Sequence, residues 1–195
     1  MSQALITLLS VIQITTPREL LTAMRARYDG KWYRTLTFLQ NNTEHHPDGT
    51  IEHSTWREWL QAPGKLRIEF QPADSGNGVL FANDSIFPFR HDSLLSSRVF
   101  VHPLLVLGFD VYMQPVERTI AQLRQAPRVF DLSVLSEGSW QGYAPVGGGW
   151  VSAEVEFLVD GQQQFLEQYE QIQTNVALPA TLWDPRQWKA ARAAR

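Results

Sequence analysis

A chain of 195 residues, 44% of them hydrophobic and 11% aromatic, carries enough apolar material for one domain with a real core and is not a disordered segment. The formal net charge of -3, with Lys and Arg scattered, supplies no basic stripe of the kind that neutralises phosphates, which excludes nucleic acid as a partner. There is no Cys, so disulfide frameworks, thiolate metal sites and cysteine nucleophiles are excluded together and the redox compartment is left open.

The opening, "MSQALITLLSVIQITTPREL", has an apolar run over residues 4–14 with no positive residue ahead of it and no small-x-small cleavage site. It is too short to span a membrane. Residues 1–15 read either as a degenerate secretory signal whose start lies upstream or as an N-terminal arm docked on the body. Thr16-Pro17-Arg18-Glu19 is a capping box with Pro at the first helical position, and Leu20, Leu21, Met24 and Tyr28 follow at helical spacing, so a helix is predicted over 17–28.

"KWYRTLTFLQ" (31–40) is aromatic and β-branched and predicts a strand, and "NNTEHHPDGT" after it has turn chemistry centred on Asp48-Gly49. "STWREWLQ", "KLRIEF", "VLFAND" and "SIFPFR" continue at about a dozen residues each, the rhythm of an antiparallel meander. Within "GKLRIEF" the alternation is strict: Leu66, Ile68 and Phe70 point one way and Lys65, Arg67 and Glu69 the other. The rhythm breaks at residues 101–127, where Pro115 opens a helix with a Val116, Ile120 and Leu123 stripe that Pro127 stops. "VFDLSVL" (129–135) resumes as strand, and residues 149–172 predict a hairpin turning at Asp160-Gly161, with Val151, Ala153, Val155, Phe157 and Val159 on one face of its first arm. The tail after Pro185 is short and Ala- and Arg-rich, a frayed helix. The domain proper spans 16–188, with 189–195 as the tail.

Catalytic signatures are weak. The histidines, at 45, 46, 53, 91 and 102, lack the spacing that sets two ligands on one helix face. "GSWQG" lacks the spacing of a nucleophile elbow, and "VGGGWV" opens no helix, so it reads as a bend or bulge and not as a phosphate cradle. Glu154 with Glu156, and Glu167 with Glu170, read as solvated surface. What remains is apolar surface: a long meander needs a face covered, and this chain supplies only short helices to cover it.

The order of these pieces resembles the outer-membrane lipoprotein carrier family, the LolA-like fold, in its lipoprotein-sorting-like branch. The resemblance rests on "RTLTFLQ", a Trp-bearing strand leading through "APG" into "KLRIEF", then "GVLFANDSIFPF", "HPLLVLG" as the approach to a lid helix, and "LPATLWDPRQW" as the closing strand. It implies an α+β fold: a curved antiparallel half-barrel with short helices covering its concave face. About two strands would be missing at the Gly142-Tyr143 junction.

By the same resemblance, acyl chains would be held by Leu36 and Phe38, Trp59, Leu66, Ile68 and Phe70, Val79 and Phe81, and by Leu104, Leu105 and Leu107 at the lid. The implied role is a non-enzymatic periplasmic carrier of the acyl chains of lipids or lipoproteins, with no cofactor and no metal, a possible envelope protein partner and transient contact with a membrane surface. At about 0.8 kcal/mol per methylene, a sixteen-carbon chain represents on the order of 12 kcal/mol of gross transfer. In the well-studied carriers an arginine precedes the proline and ties the lid shut; Ala62 stands there in this chain, so that tie is missing. The alternative is a cell-envelope structural or interaction module with a filled core. A hydrolase acting on a lipid headgroup would need carboxylates or histidines converging in the hollow, with His91, His102, Glu154 and Glu156 as candidates.

Overall fold

The computed structural model describes residues 14–125, 135–141 and 144–193. The expected strand at 129–135 and the Gly142-Tyr143 junction fall almost wholly outside these residues, as does the apolar run at 4–14.

Helix α1 (Pro17–Tyr28) starts as its sequence predicts: the Glu19 amide donates to Thr16 Oγ1 at 3.2 Å and the Thr16 amide donates to Glu19 Oε2 at 3.0 Å. Then comes a long hairpin of β1 (Thr35–His45) and β2 (Ile51–Gln61), followed by β3 (Lys65–Phe70), β4 (Gly78–Ala82), β5 (Ser85–Arg90) and two short edge pieces on β5, β6 (Ser93–Leu94) and β7 (Arg98–Val99). Strand β1 runs five residues past the predicted end at Gln40. Pairing on both sides carries the polar stretch through, helped by side-chain bonds such as Thr55 to Asn41 at 3.0 Å and Asn42 to Ser54 at 3.2 Å.

The insert contains α2 (Pro103–Gly108), a 3₁₀ turn at Asp110–Tyr112 and α3 (Val116–Gln125). The predicted apolar stripe of α3 is only half-buried; Thr119 and Gln122 are the residues it buries. They meet polar partners: Gln114 donates to Thr119 at 3.0 Å and to Gln122 at 2.6 Å, and Gln122 donates to Asp84 at 2.7 Å. After β8 (Leu135–Gln141) a separate small hairpin, β9 (Ala144–Val146) with β10 (Gly149–Val151), turns at Gly147-Gly148. There Gly148, at φ +88°, lies so close to Lys31 that a Cβ would stand 2.0 Å from its carbonyl oxygen. Strands β11 (Glu154–Val159) and β12 (Gln162–Thr174) return the chain to pair with β1.

The result is an α+β fold with one large, curved, open antiparallel sheet in the order β6-β5-β4-β3-β2-β1-β12-β11-β8, plus four short helices among the described residues, as the sequence predicts. Its concave side meets α1, α2 and the β9-β10 hairpin.

The other face is not left to water. Residues 178–193 cross it, including α4 (Trp188–Ala193), and bury Leu182, Trp183 and Trp188 against Trp59, Leu80 and Phe89. Trp188 stacks on Phe89 with centroids 4.2 Å apart. Gly78 makes room for it, since a Cβ there would stand 2.9 Å from the indole and 2.2 Å from the Ile68 carbonyl oxygen. The tail is therefore a docked helix and not a frayed one; Arg192 fastens it to Asp92 and to the Ala73 carbonyl, both at 2.6 Å. Strand β3 is buried on both faces, with Arg67 at 0% exposure and Glu69 at 3%.

Candidate functional site

Between the concave face and its helical cover lies a cavity of ≈ 1080 Å³. Alternation places its floor: Leu36, Phe38 and Gln40 on β1; Trp56, Glu58 and Leu60 on β2; Leu66 and Ile68 on β3; Val155 and Phe157 on β11; and Phe165, Glu167 and Tyr169 on β12. Cross-strand register agrees, with Leu60 opposite Leu66 and Glu58 opposite Ile68. The wall toward α1 is aromatic. Trp32 stacks on Tyr112 at 3.9 Å and meets Tyr28 edge-on at 4.9 Å.

The cover is α2. His102 caps it, with Nδ1 accepting from the Leu105 amide at 3.3 Å, and burial pulls the His102 imidazole below its usual pKa, which keeps it neutral. Leu104, Leu105 and Leu107 hang from α2 over the cavity. Just beyond, Asp110 Oδ1 accepts from the Gly64 amide in the β2-β3 turn at 2.9 Å. That bond ties the cover to the sheet beside Ala62-Pro63. Burial pushes the Asp110 carboxyl up to about 7, against the Gly64 amide and Arg118, which favour its charge; Oδ2 has no partner.

A polar belt crosses the otherwise apolar floor. Glu58 is buried at 5% exposure, and burial, reinforced by the charge of Glu167, raises its carboxyl well above the usual range. Burial also raises Glu167, while the Tyr169 hydroxyl and the Gln40 amide, both donating to it, pull it back. At the far end Glu44, His45 and His46 line the cavity, with His46 3.5 Å from Glu52 and 3.9 Å from Glu44.

Of the positions read from sequence, Leu36, Phe38, Leu66, Ile68, Leu104, Leu105 and Leu107 come together around this cavity. Phe70, Val79 and Phe81 belong to the same apolar cluster without lining the cavity. Trp59 is a correction. It pairs with Arg67 across β2-β3 and packs on the opposite face against the C-terminal segment. On β2 the cavity residues are Trp56, Glu58 and Leu60, which alternation puts on the face opposite Trp59.

Glu167, read as solvated surface, is a second correction: β12 is an inner strand, between β1 and β11, and its concave side faces the hollow. Glu154 and Glu156 do lie on the other side, where Gln168 and Gln163 donate to them at 3.1 and 2.6 Å. His91 sits in an exposed turn at φ +48°, away from the cavity, whereas His102 lines it.

No family model matches the sequence, and no curated protein matches it at a significant level. Among solved structures, the chain is similar to a DUF1329 family protein from Desulfovibrio piger ATCC 29098, at 11% sequence identity and a TM-score of 0.42, over 87% of this chain and 98% of that chain. That similarity assigns neither family nor activity.

Proposed function

We propose that this chain is a non-enzymatic carrier that shelters the acyl chain of a lipid or lipoprotein beneath α2, working in the periplasm with transient contact to a membrane surface. One observation carries the reading: a hollow of ≈ 1080 Å³, floored by aliphatic and aromatic side chains, that the described residues leave unfilled. Its size is that of pockets for lipid-type ligands. The LolA-like order of sequence motifs agrees with it. An envelope interaction module would fill this face with its own side chains. A headgroup hydrolase would draw on Glu58 and Glu167, yet acid and base roles need carboxyls whose environments separate them, and burial raises both of these.

The test is uptake of an uncharged alkyl-chain fluorophore by delipidated protein, with mass spectrometry of whatever lipid copurifies. Saturable uptake that Leu104→Asp abolishes supports the carrier. A folded protein that takes up no probe and copurifies with no lipid overturns it.

A further inference from the structure

The lining of the cavity is acidic. It includes Glu44, Glu58 and Glu167, and no Lys or Arg lines it among the described residues. Of these, Glu58 stands out. It faces the hollow from the middle of β2, between Trp56 and Leu60, at 5% exposure, and among the described residues no group donates a hydrogen bond to its carboxyl or pairs with it as a cation. Leaving a carboxyl buried without a donor is costly, and a cavity-facing one is a place for a ligand to supply the missing partner.

Glu167 faces the same space from β12, one strand beyond β1, close enough for the two charges to act on each other. Gln40 and Tyr169 already donate to Glu167. Rings line the same cavity. Phe38 packs on Tyr169 with centroids 4.9 Å apart, and Trp56 on Phe165 at 6.2 Å. Aromatic faces beside carboxyl oxygens attract a cation and offer nothing to an anion.

We infer that the cavity selects amphiphiles with a primary amine head, the ammonium lying between Glu58 and Glu167 and the alkyl chain among Leu36, Leu60, Leu66 and Ile68. This specificity rests on the carrier reading above and narrows it. Head chemistry decides the order of ligands. An ammonium brings three donors and a positive charge to two carboxyls whose own charges burial penalises. A hydroxyl brings a hydrogen bond without charge. A carboxylate or phosphate head adds negative charge where no lining lysine or arginine meets it.

The test uses delipidated full-length chain and displacement of a neutral fluorophore by dodecylamine, dodecanol and dodecanoate at pH 7. Dodecylamine is expected to bind about tenfold or more tighter than dodecanol, with dodecanoate weakest. Glu58→Gln and Glu167→Gln should each weaken dodecylamine by about tenfold while leaving dodecanol within about twofold. The head-group ranking on unmutated protein needs no variant to fold. Equal binding of the three, preference for dodecanoate, or full amine affinity in both Gln variants overturns the amine selectivity while dodecanol binding keeps the carrier. If none of the three displaces the probe, the carrier reading falls and takes this inference with it.

Discussion

The Arg67 guanidinium lies 3.8 Å from the centre of the Trp188 ring and donates to the Trp188 carbonyl oxygen at 2.8 Å, so a buried cation on β3 grips the C-terminal helix by its face and its backbone at once. Removing the indole leaves a cavity against Phe89 and Gly78. Trp188→Ala is expected to cost about 3–5 kcal/mol in urea unfolding. A loss below about 1 kcal/mol would mean that the C-terminal segment merely rests on the sheet.

Arg67 also donates to Glu69 at 2.7 Å, with both side chains buried. Arg67→Met alone takes the cation from a buried carboxylate and should cost about 3–5 kcal/mol. Adding Glu69→Met should restore most of that loss, because the pair's Coulomb gain is largely spent on its own desolvation. A double variant as unstable as the single would show that the ion pair itself stabilises the fold.

Asp110 makes stability depend on pH. Its carboxyl, ordinarily near 3.8, titrates near 7 in the folded chain, so the folded state holds the proton more tightly than the unfolded one. The stability contributed by that proton is complete below about pH 4 and is lost as pH rises to about 7, on the order of 4 kcal/mol in all. Glu58 and Glu167, also raised, slope the same way, so the contribution of Asp110 is isolated by subtraction. Asp110→Asn keeps the acceptor for the Gly64 amide and should gain on the parent steadily from pH 4 to pH 8. A stability difference that does not change with pH would remove Asp110 as the cause.

The two faces of β2 and the cover separate experimentally. Trp59→Ala should lower stability by about 3 kcal/mol and leave uptake of an alkyl probe unchanged, since Trp59 packs away from the cavity. Leu104→Asp, on a half-buried position of the cover, should do the reverse. Paired measurements of melting and uptake on the two variants decide this, and probe loss in Trp59→Ala would contradict the assignment of faces.

Much of the architecture was legible. The capping box at Thr16 and Glu19, the turn at Asp48-Gly49 and the alternation of Leu66, Ile68 and Phe70 each depend on neighbours a few residues away, where sequence and structure are tightly coupled. The failures are where distant partners decide. Trp59 and Leu60 are both apolar and adjacent, and both are buried, because residues 178–193 cover the side that a sheet of this kind would otherwise leave wet. The irregularities opposite Thr37–Leu39 and opposite Phe157–Leu158 each put an extra residue into β12, so alternation counted along β12 loses phase. Glu58 and Glu167 look like solvent-facing carboxylates in a local window. Only the assembled sheet places them together over a hollow. The bond from the Gly64 amide to Asp110 was hidden in the same way, since the two are 46 residues apart.

The bond from Arg67 to Trp188 joins positions 121 residues apart. During synthesis, β3 leaves the ribosome with its charged side uncovered and stays so until α4 emerges. The nascent chain can close its meander early, but the arginine remains hydrated and the sheet's outer apolar surface sticky until residues 178–193 emerge. Consolidation of the outer face thus waits on the arrival of Trp188, long after the meander it covers.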